Sequence, residues 1–189
     1  DELLAALYNS DSRVFLGGGG NDATVIFNDP DGTTINASEL SLIGGQTNSP
    51  VTVTNAVAIT GTTAEMIAAL VTASSKVEVE DPTVTISDTP TIAEINSIAA
   101  TTTGVVTATL AADSLANLAA LTTAATDVIT ITVNEVDASN LTAASLSTLG
   151  GKTAGIVTVP NAITITGDHD QLTAALVTES TKVEVNDAT

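Results

Sequence analysis

The sequence predicts an α/β fold, a strand–helix solenoid of about seven turns of 23–28 residues each with a parallel sheet on one wall. Three observations predict it. The first is a long direct repeat: Gly44 to Thr83 aligns without gaps to Gly150 to Thr189, with 23 of 40 positions identical. The second is a series of short β-branched runs whose starts recur at about the period of a solenoid turn. The third is a one-sided helical pattern in most of the gaps between them. A unit with one strand and one helix cannot bury its apolar face alone, so neighbouring units must stack. A right-handed path follows from the handedness of β-crossover-β connections.

The strand runs are Thr24 to Phe27, Val51 to Val53, Lys76 to Val79, Val105 to Thr109, Val128 to Val133, Ile156 to Val159 and Lys182 to Val185. Each alternates or is continuously β-branched over strand-like length. A second short run, at Ala58 to Thr60, Val84 to Ile86 or Ile163 to Ile165, follows some of them. Helices are expected where apolar residues fall at i, i+3 or i+4: Met66 and Leu70; Ile92, Ile95 and Ile98; Leu115 and Leu118; Leu172 and Leu176. Thr62 with Glu65 and Thr91 with Glu94 make capping boxes, Asp168 with Gln171 makes a similar one, and Asp113 suits an N-cap. Upstream of the long repeat, INASEL from Ile35 echoes VDASNL from Val136, which requires five extra residues before the second Gly-Gly.

The domain reading is one repeat array over residues 1–189: an irregular N-terminal turn with a Gly-rich loop in 1–23, then repeats over 24–189. DELLAAL opens as a helix without a preceding strand, and KVEVNDAT stops where KVEVEDPT at Lys76 runs on. Both ends therefore cut through the repeat, and a flanking segment or an identical subunit is expected to stack on them. The alternative architecture is a doubly wound α/β domain. The direct repeat, the near-constant period and the lack of a Gly-rich phosphate loop between strand and helix weigh against it.

Composition narrows the function. The chain has 22 acidic and 4 basic side chains, a net charge of −18, one histidine and no cysteine. Such a surface repels phosphate backbones, so no nucleic-acid partner is expected. No apolar run approaches the roughly 20 residues of a membrane span, and direct membrane insertion is not expected. Disulfides and thiolate metal sites are excluded. With one histidine and few cations there is little material for general acid–base or nucleophilic catalysis, and the expectation is a protein that is not an enzyme. Two-carboxylate glycosidase chemistry on a solenoid remains formally open.

Calcium is the one cofactor the residues suggest. LGGGGNDATVIF holds Gly17, Gly18, Gly20 and Asp22 in a GGxGxD arrangement, in which glycines allow a turn and the aspartate with backbone carbonyls supplies hard oxygen ligands. NDPDG adds Asn28, Asp29 and Asp31 beside a sharp turn. The metal candidates are thus Asp22, Asn28, Asp29 and Asp31, with ordinary turn chemistry as the competing reading. Glu78, Glu80, Asp81, Asp88, Glu184 and Asp187 recur near strand ends as an acidic ladder or a solvated face. His169 matches Thr63 in the earlier repeat, which points to a capping-loop residue rather than a ligand. Threonine recurs throughout the chain, with TxT triplets from Thr52, Thr83, Thr107, Thr130 and Thr164. Stacked rows of that kind resemble the flat faces of some ice-binding solenoids, although threonine is also a good solvated strand residue.

The segments GVVTATLAADSLANLAALTTAATDVITITVNEVDASNLT and NAITITGDHDQLTAALVT resemble units of very large threonine- and alanine-rich extracellular repeat proteins. Marine cyanobacterial cell-surface proteins associated with swimming motility are of this kind, as are other bacterial adhesin-like giants. The resemblance covers roughly Thr24 to Thr189. It implies a secreted or surface-attached, acidic, calcium-associated and non-enzymatic protein. The expected role is a structural module of an extracellular filament, surface layer or adhesin, stacking end to end with identical or similar repeats. The alternative is a receptor- or glycan-binding fibre segment of a phage or bacterial adhesin, for which a groove with aromatics and carboxylates would be needed. Beyond Phe27 the chain has no aromatic residue.

Overall fold

The computed structural model describes residues 23–181 and 183–186. It is a mixed α/β structure with parallel sheets and alternating strands and helices. Two compact units are present, one built from residues up to Asp88 and from Ala100–Gly104, the other from Thr89–Ala99 and from Val105 onward.

In the first unit the order is β1 (Val25–Phe27), β2 (Thr34–Asn36), α1 (Ala37–Gly44), β3 (Val51–Val53), β4 (Ala58–Gly61), α2 (Thr63–Met66), β5 (Val77–Val79) and β6 (Thr83–Ile86). Helix α2 runs on through a π-helical turn, Ile67–Val71, and a 3-10 turn, Ala73–Ser75. Strands β1, β3 and β5 form one parallel ladder, with Val25 opposite Val51 and Val51 opposite Val77. Strands β2, β4 and β6 form a second, in which Ile35, Ile59 and Val84 lie in register. The sequence pattern predicts one strand per repeat, whereas each repeat here supplies two. The second ladder is legible at β4 and β6 but hidden at β2, because T-I-N presents a single apolar residue to the core, too little for an alternation to be read.

The second unit contains α3 (Ile92–Ala99), β7 (Val106–Thr109), α4 (Leu115–Leu118), β8 (Val128–Thr132), β9 (Asn140–Thr142), α5 (Ala143–Gly150), β10 (Val157–Val159), β11 (Thr164–Thr166), α6 (His169–Leu176) and β12 (Glu184–Val185). The first half of β8 pairs with β7 and its second half with β10, which pairs in turn with β12. Strands β9 and β11 make a separate pair. All these pairings are parallel.

Cores follow from the alternation. Val51 and Val53, Val157 and Val159, and Ile129 and Ile131 are buried, while intervening threonines such as Thr83, Thr85 and Thr130 face outward. Helix α1 buries Ala37, Leu40, Ile43 and Gly44, and α5 buries Ala143, Leu146, Leu149 and Gly150 at the same positions. Helices this short do not hold alone in water. Burial stabilises each by roughly 1.5–3 kcal/mol per leucine or isoleucine side chain. Close approach of the next repeat requires the terminal glycine: a Cβ on Gly44 would lie 1.9 Å from the Ser75 carbonyl oxygen, and one on Gly150 would lie 2.2 Å from that of Thr181.

The two copies of the long repeat correspond without a gap well upstream of Gly44. Strands β2 and β9, at Thr34 and Asn140, and helices α1 and α5, at Ala37 and Ala143, are offset by the same interval as Gly44 and Gly150. The alignment of Ile35 with Val136 is therefore corrected: Ile35 corresponds to Leu141, and no insertion exists. Hydrophobic function is retained there while identity is lost. One cap also moves. Ser114, not Asp113, is the N-cap of α4, its hydroxyl accepting from the Asn117 N–H, while Asp113 accepts from the Ser114 N–H and from Asn117 Nδ2. The boxes at Thr62 and Glu65 and at Asp168 and Gln171 are formed. At the start of α3, Glu94 accepts from the Thr91 N–H and hydroxyl. Among the described residues no helix is long and apolar enough to cross a membrane.

Candidate functional site

The NDPDG turn links β1 to β2. Asn28 and Asp31 are exposed and Asp29 is half-buried. Gly32 adopts φ +76°, the left-handed region that glycine enters freely. This turn is fastened to the equivalent turn of the next repeat. Asp31 Oδ1 accepts the Ala56 N–H at 3.2 Å, the Gly32 N–H donates to the Ala56 carbonyl at 2.7 Å, and Asn55 Nδ2 donates to the Asp29 carbonyl. The same construction stands in the second copy, where Asp137 Oδ1 accepts from Ala162 at 3.3 Å and the Ala138 N–H donates to the Ala162 carbonyl at 2.7 Å. Ala138 takes φ 65° where the first copy has glycine.

The structure thus brings Asn28, Asp29 and Asp31 onto one turn, and Asp22 lies outside the described residues. One oxygen of Asp31 is held by main chain, and its second oxygen and exposed position leave it able to meet a cation. Among the described residues no cluster of three or more His, Asp or Glu side chains is positioned to hold a metal ion.

Other carboxylates act in the same way, across repeats. Asp88 Oδ1 accepts the Thr63 hydroxyl at 2.6 Å and the Thr63 N–H at 2.7 Å, capping α2 from 25 residues away. The Thr63 hydroxyl, and after it the Thr63 N–H, hold the Asp88 carboxyl below its ordinary value. Glu135 Oε1 accepts the Leu115 N–H at the start of α4 at 2.7 Å. Asp81, at φ 44°, accepts the Thr103 hydroxyl at 2.6 Å. Glu78 and Glu184 are exposed at equivalent places, opposite Thr52 and Thr158. Glu80 is exposed, and Asp187 lies outside the described residues.

Lysines and buried threonines complete the pattern. Lys76 Nζ donates to the Thr47 carbonyl and Lys152 Nζ to the Ala119 carbonyl, each at 2.6 Å. Thr153, 5 % exposed, accepts from the N–H groups of Ile129 and Gly155 and has the carbonyls of Asp127 and Ile129 within 2.9 Å. Thr47 donates to the Ala23 carbonyl at 2.5 Å and accepts from the Ser49 N–H. Sequence reasoning missed these two threonines. Their identity across the copies, at the same place after each Gly-Gly, was the available signal. His169 opens α6, fully exposed, with Nδ1 3.2 Å from the carboxylate of Asp170. Beside α4 lies a groove of about 560 Å³ lined by Pro90, Ile92, Leu110, Asp113 and Asn117, among others. Its one lining carboxylate, Asp113, is engaged by Ser114 and Asn117.

No family model, no curated protein and no solved structure matches the chain.

Proposed function

We propose that this chain is a strand–helix solenoid module with a structural role in an extracellular filament, surface layer or adhesin. One observation carries the reading: side chains with the most chemical potential are used to join one repeat to the next. Asp31 and Asp137 hold the following repeat, while Asp88 and Glu135 hold the preceding one. Lys76 and Lys152 reach main-chain carbonyls 29 and 33 residues away. Stability in such a design is a sum of nearest-neighbour interfaces, which suits a load-bearing array better than a catalytic cleft.

The partners are identical or similar repeats stacked end to end. Net charge of −18 keeps such an array soluble and, in salty water, screened over about a nanometre. Calcium held at the turn of Asn28, Asp29 and Asp31 damps that repulsion.

Light-scattering mass, measured at several protein concentrations in millimolar calcium and after chelation, tests the proposal. Calcium-dependent growth in mass is the expected outcome, and it should diminish in the double variant D29N/D31N. A mass that stays monomeric at every concentration, with and without calcium, sinks the self-stacking role.

A further inference from the structure

Asp127 lies immediately before β8 and is 3 % exposed. Both carboxylate oxygens are occupied by main-chain donors: Oδ1 accepts the Val106 N–H and Oδ2 the Ala124 N–H, each at 2.8 Å. Its carbonyl accepts the Ala154 N–H at 2.7 Å and lies 2.9 Å from the Thr153 hydroxyl. One residue therefore touches three successive repeats of its unit.

Among the described residues the charge on this carboxylate has no cationic partner nearby. Within the unit, the elements against it are β7, residues 119–126, β8 and residues 153–155, and none carries an ionisable side chain. Lys152, next in the chain, sends its ammonium to the Ala119 carbonyl instead. Two N–H dipoles hold the negative charge, in hydrogen bonds stronger than neutral ones.

That arrangement accepts only one protonation state. An ionised carboxylate is acceptor-only, whereas a carboxylic acid carries a hydrogen on one oxygen. Both oxygens already face N–H donors, so the added hydrogen would meet a donor and one buried amide would lose its partner. Val106 begins β7, and Thr107 pairs with Val128 across the β7–β8 junction. Less chain separates these two than separates the partners in the ladders between Val25 and Val51, Asn140 and Thr164 or Ala58 and Thr83. The connection is the tightest of these, and Asp127 closes it.

We propose that Asp127 is a proton-operated latch on the β7–β8 junction. As a carboxylate it fixes the start of β7 against the 119–126 segment, and as a carboxylic acid it releases whichever of the Val106 and Ala124 N–H groups faces the protonated oxygen, while the flanking ladder remains paired.

Residue-resolved amide hydrogen exchange on the full chain tests this, with rates corrected for the intrinsic effect of pH. Acidifying the wild type from about pH 7 to about pH 3 should raise exchange at Val106 or Ala124 by about tenfold or more. Ile131 and Val133, whose N–H groups donate to Ile156 and Thr158, should keep their protection. D127N, which fixes a neutral group in place, should show the fast exchange already at pH 7 and no further acid step at these two amides. Retained protection of both amides in the acidified wild type overturns the latch. So does an acid step of equal size in D127N, which would assign the release to another group. If D127N does not fold, the wild-type acid arm alone decides.

Discussion

Asp88 reaches back 25 residues to Thr63 and occupies both of its donors, the hydroxyl at 2.6 Å and the N–H at 2.7 Å, through a single carboxylate oxygen. Helix α2 thus takes its N-terminal cap from two places. Thr62 and Glu65 form the local box, and Asp88 supplies the remote anion that the first turn of a helix favours. These bonds exist for the ionised form, so the folded carboxyl titrates below its unfolded value. The resulting stabilisation is complete above the ordinary carboxylate value and is lost as pH falls through the lowered folded value. Carboxyl NMR titration should find Asp88 below that ordinary value in the wild type and raised toward it in T63A. An unmoved midpoint in T63A would remove the Thr63 hydroxyl as the cause.

Two glycines should respond unequally to the same substitution. At Gly44 an added Cβ meets the Ser75 carbonyl oxygen at 1.9 Å and its carbon at 2.9 Å, both backbone. G44A should cost about 3 kcal/mol or more, since the neighbouring repeat must be displaced. At Gly32 nothing lies within 4 Å, and only the positive φ opposes alanine. G32A should cost about 1–2 kcal/mol. Urea unfolding of the two variants checks the order, and a G44A no less stable than G32A would refute the packing argument.

Leu146 and Leu40 occupy the same place in the two copies, each fully buried. Truncating either to alanine should cost about 2–5 kcal/mol. Leu42, 37 % exposed on the same helix as Leu40, should lose well under half as much on truncation. Denaturation midpoints read at a common m-value would show whether the buried stripe, rather than helix propensity, holds α1 and α5.

Thr153→Val keeps shape and removes the hydroxyl. The N–H groups of Ile129 and Gly155 then lose their acceptor inside the protein. A loss of about 1–3 kcal/mol per buried unsatisfied group is expected. Urea unfolding checks it, and a variant as stable as the wild type would show that solvent reaches the Thr153 site.

Much of this architecture was written in local pattern. The run at Val51 to Val53 became a strand with the expected bounds, the run expected at Ile156 to Val159 became one over Val157–Val159, and the parallel, strand–helix alternation followed from their recurrence. Helices α1 and α5 escaped notice because Leu40 and Ile43, or Leu146 and Leu149, give only one i, i+3 pair amid serine and threonine. What stabilises them lies a repeat away, in Ser75 and Thr181. The candidate turn at Asn28 to Gly32 was legible as turn chemistry from its own residues. Its attachment to Asn55 and Ala56 was not, because partners a whole repeat away leave no short-range pattern. Asp127 shows the same limit, as a lone aspartate in an alanine- and threonine-rich stretch says nothing of Val106.

Gapless correspondence between the two copies has a genetic corollary. The starts of β2, β3, β4, α1 and α2 recur at one offset in β9, β10, β11, α5 and α6, as do the left-handed residue at Gly32 or Ala138 and the glycine at 44 or 150. An unequal crossover between the two coding segments, anywhere from Val25 to Thr83, adds or removes one whole block of codons equal to that offset. Each chimaeric polypeptide still meets acceptors and donors at the spacing its backbone requires. Allele length at such a locus should therefore vary in whole blocks, with intermediate lengths purged because they misplace every partner downstream of the junction.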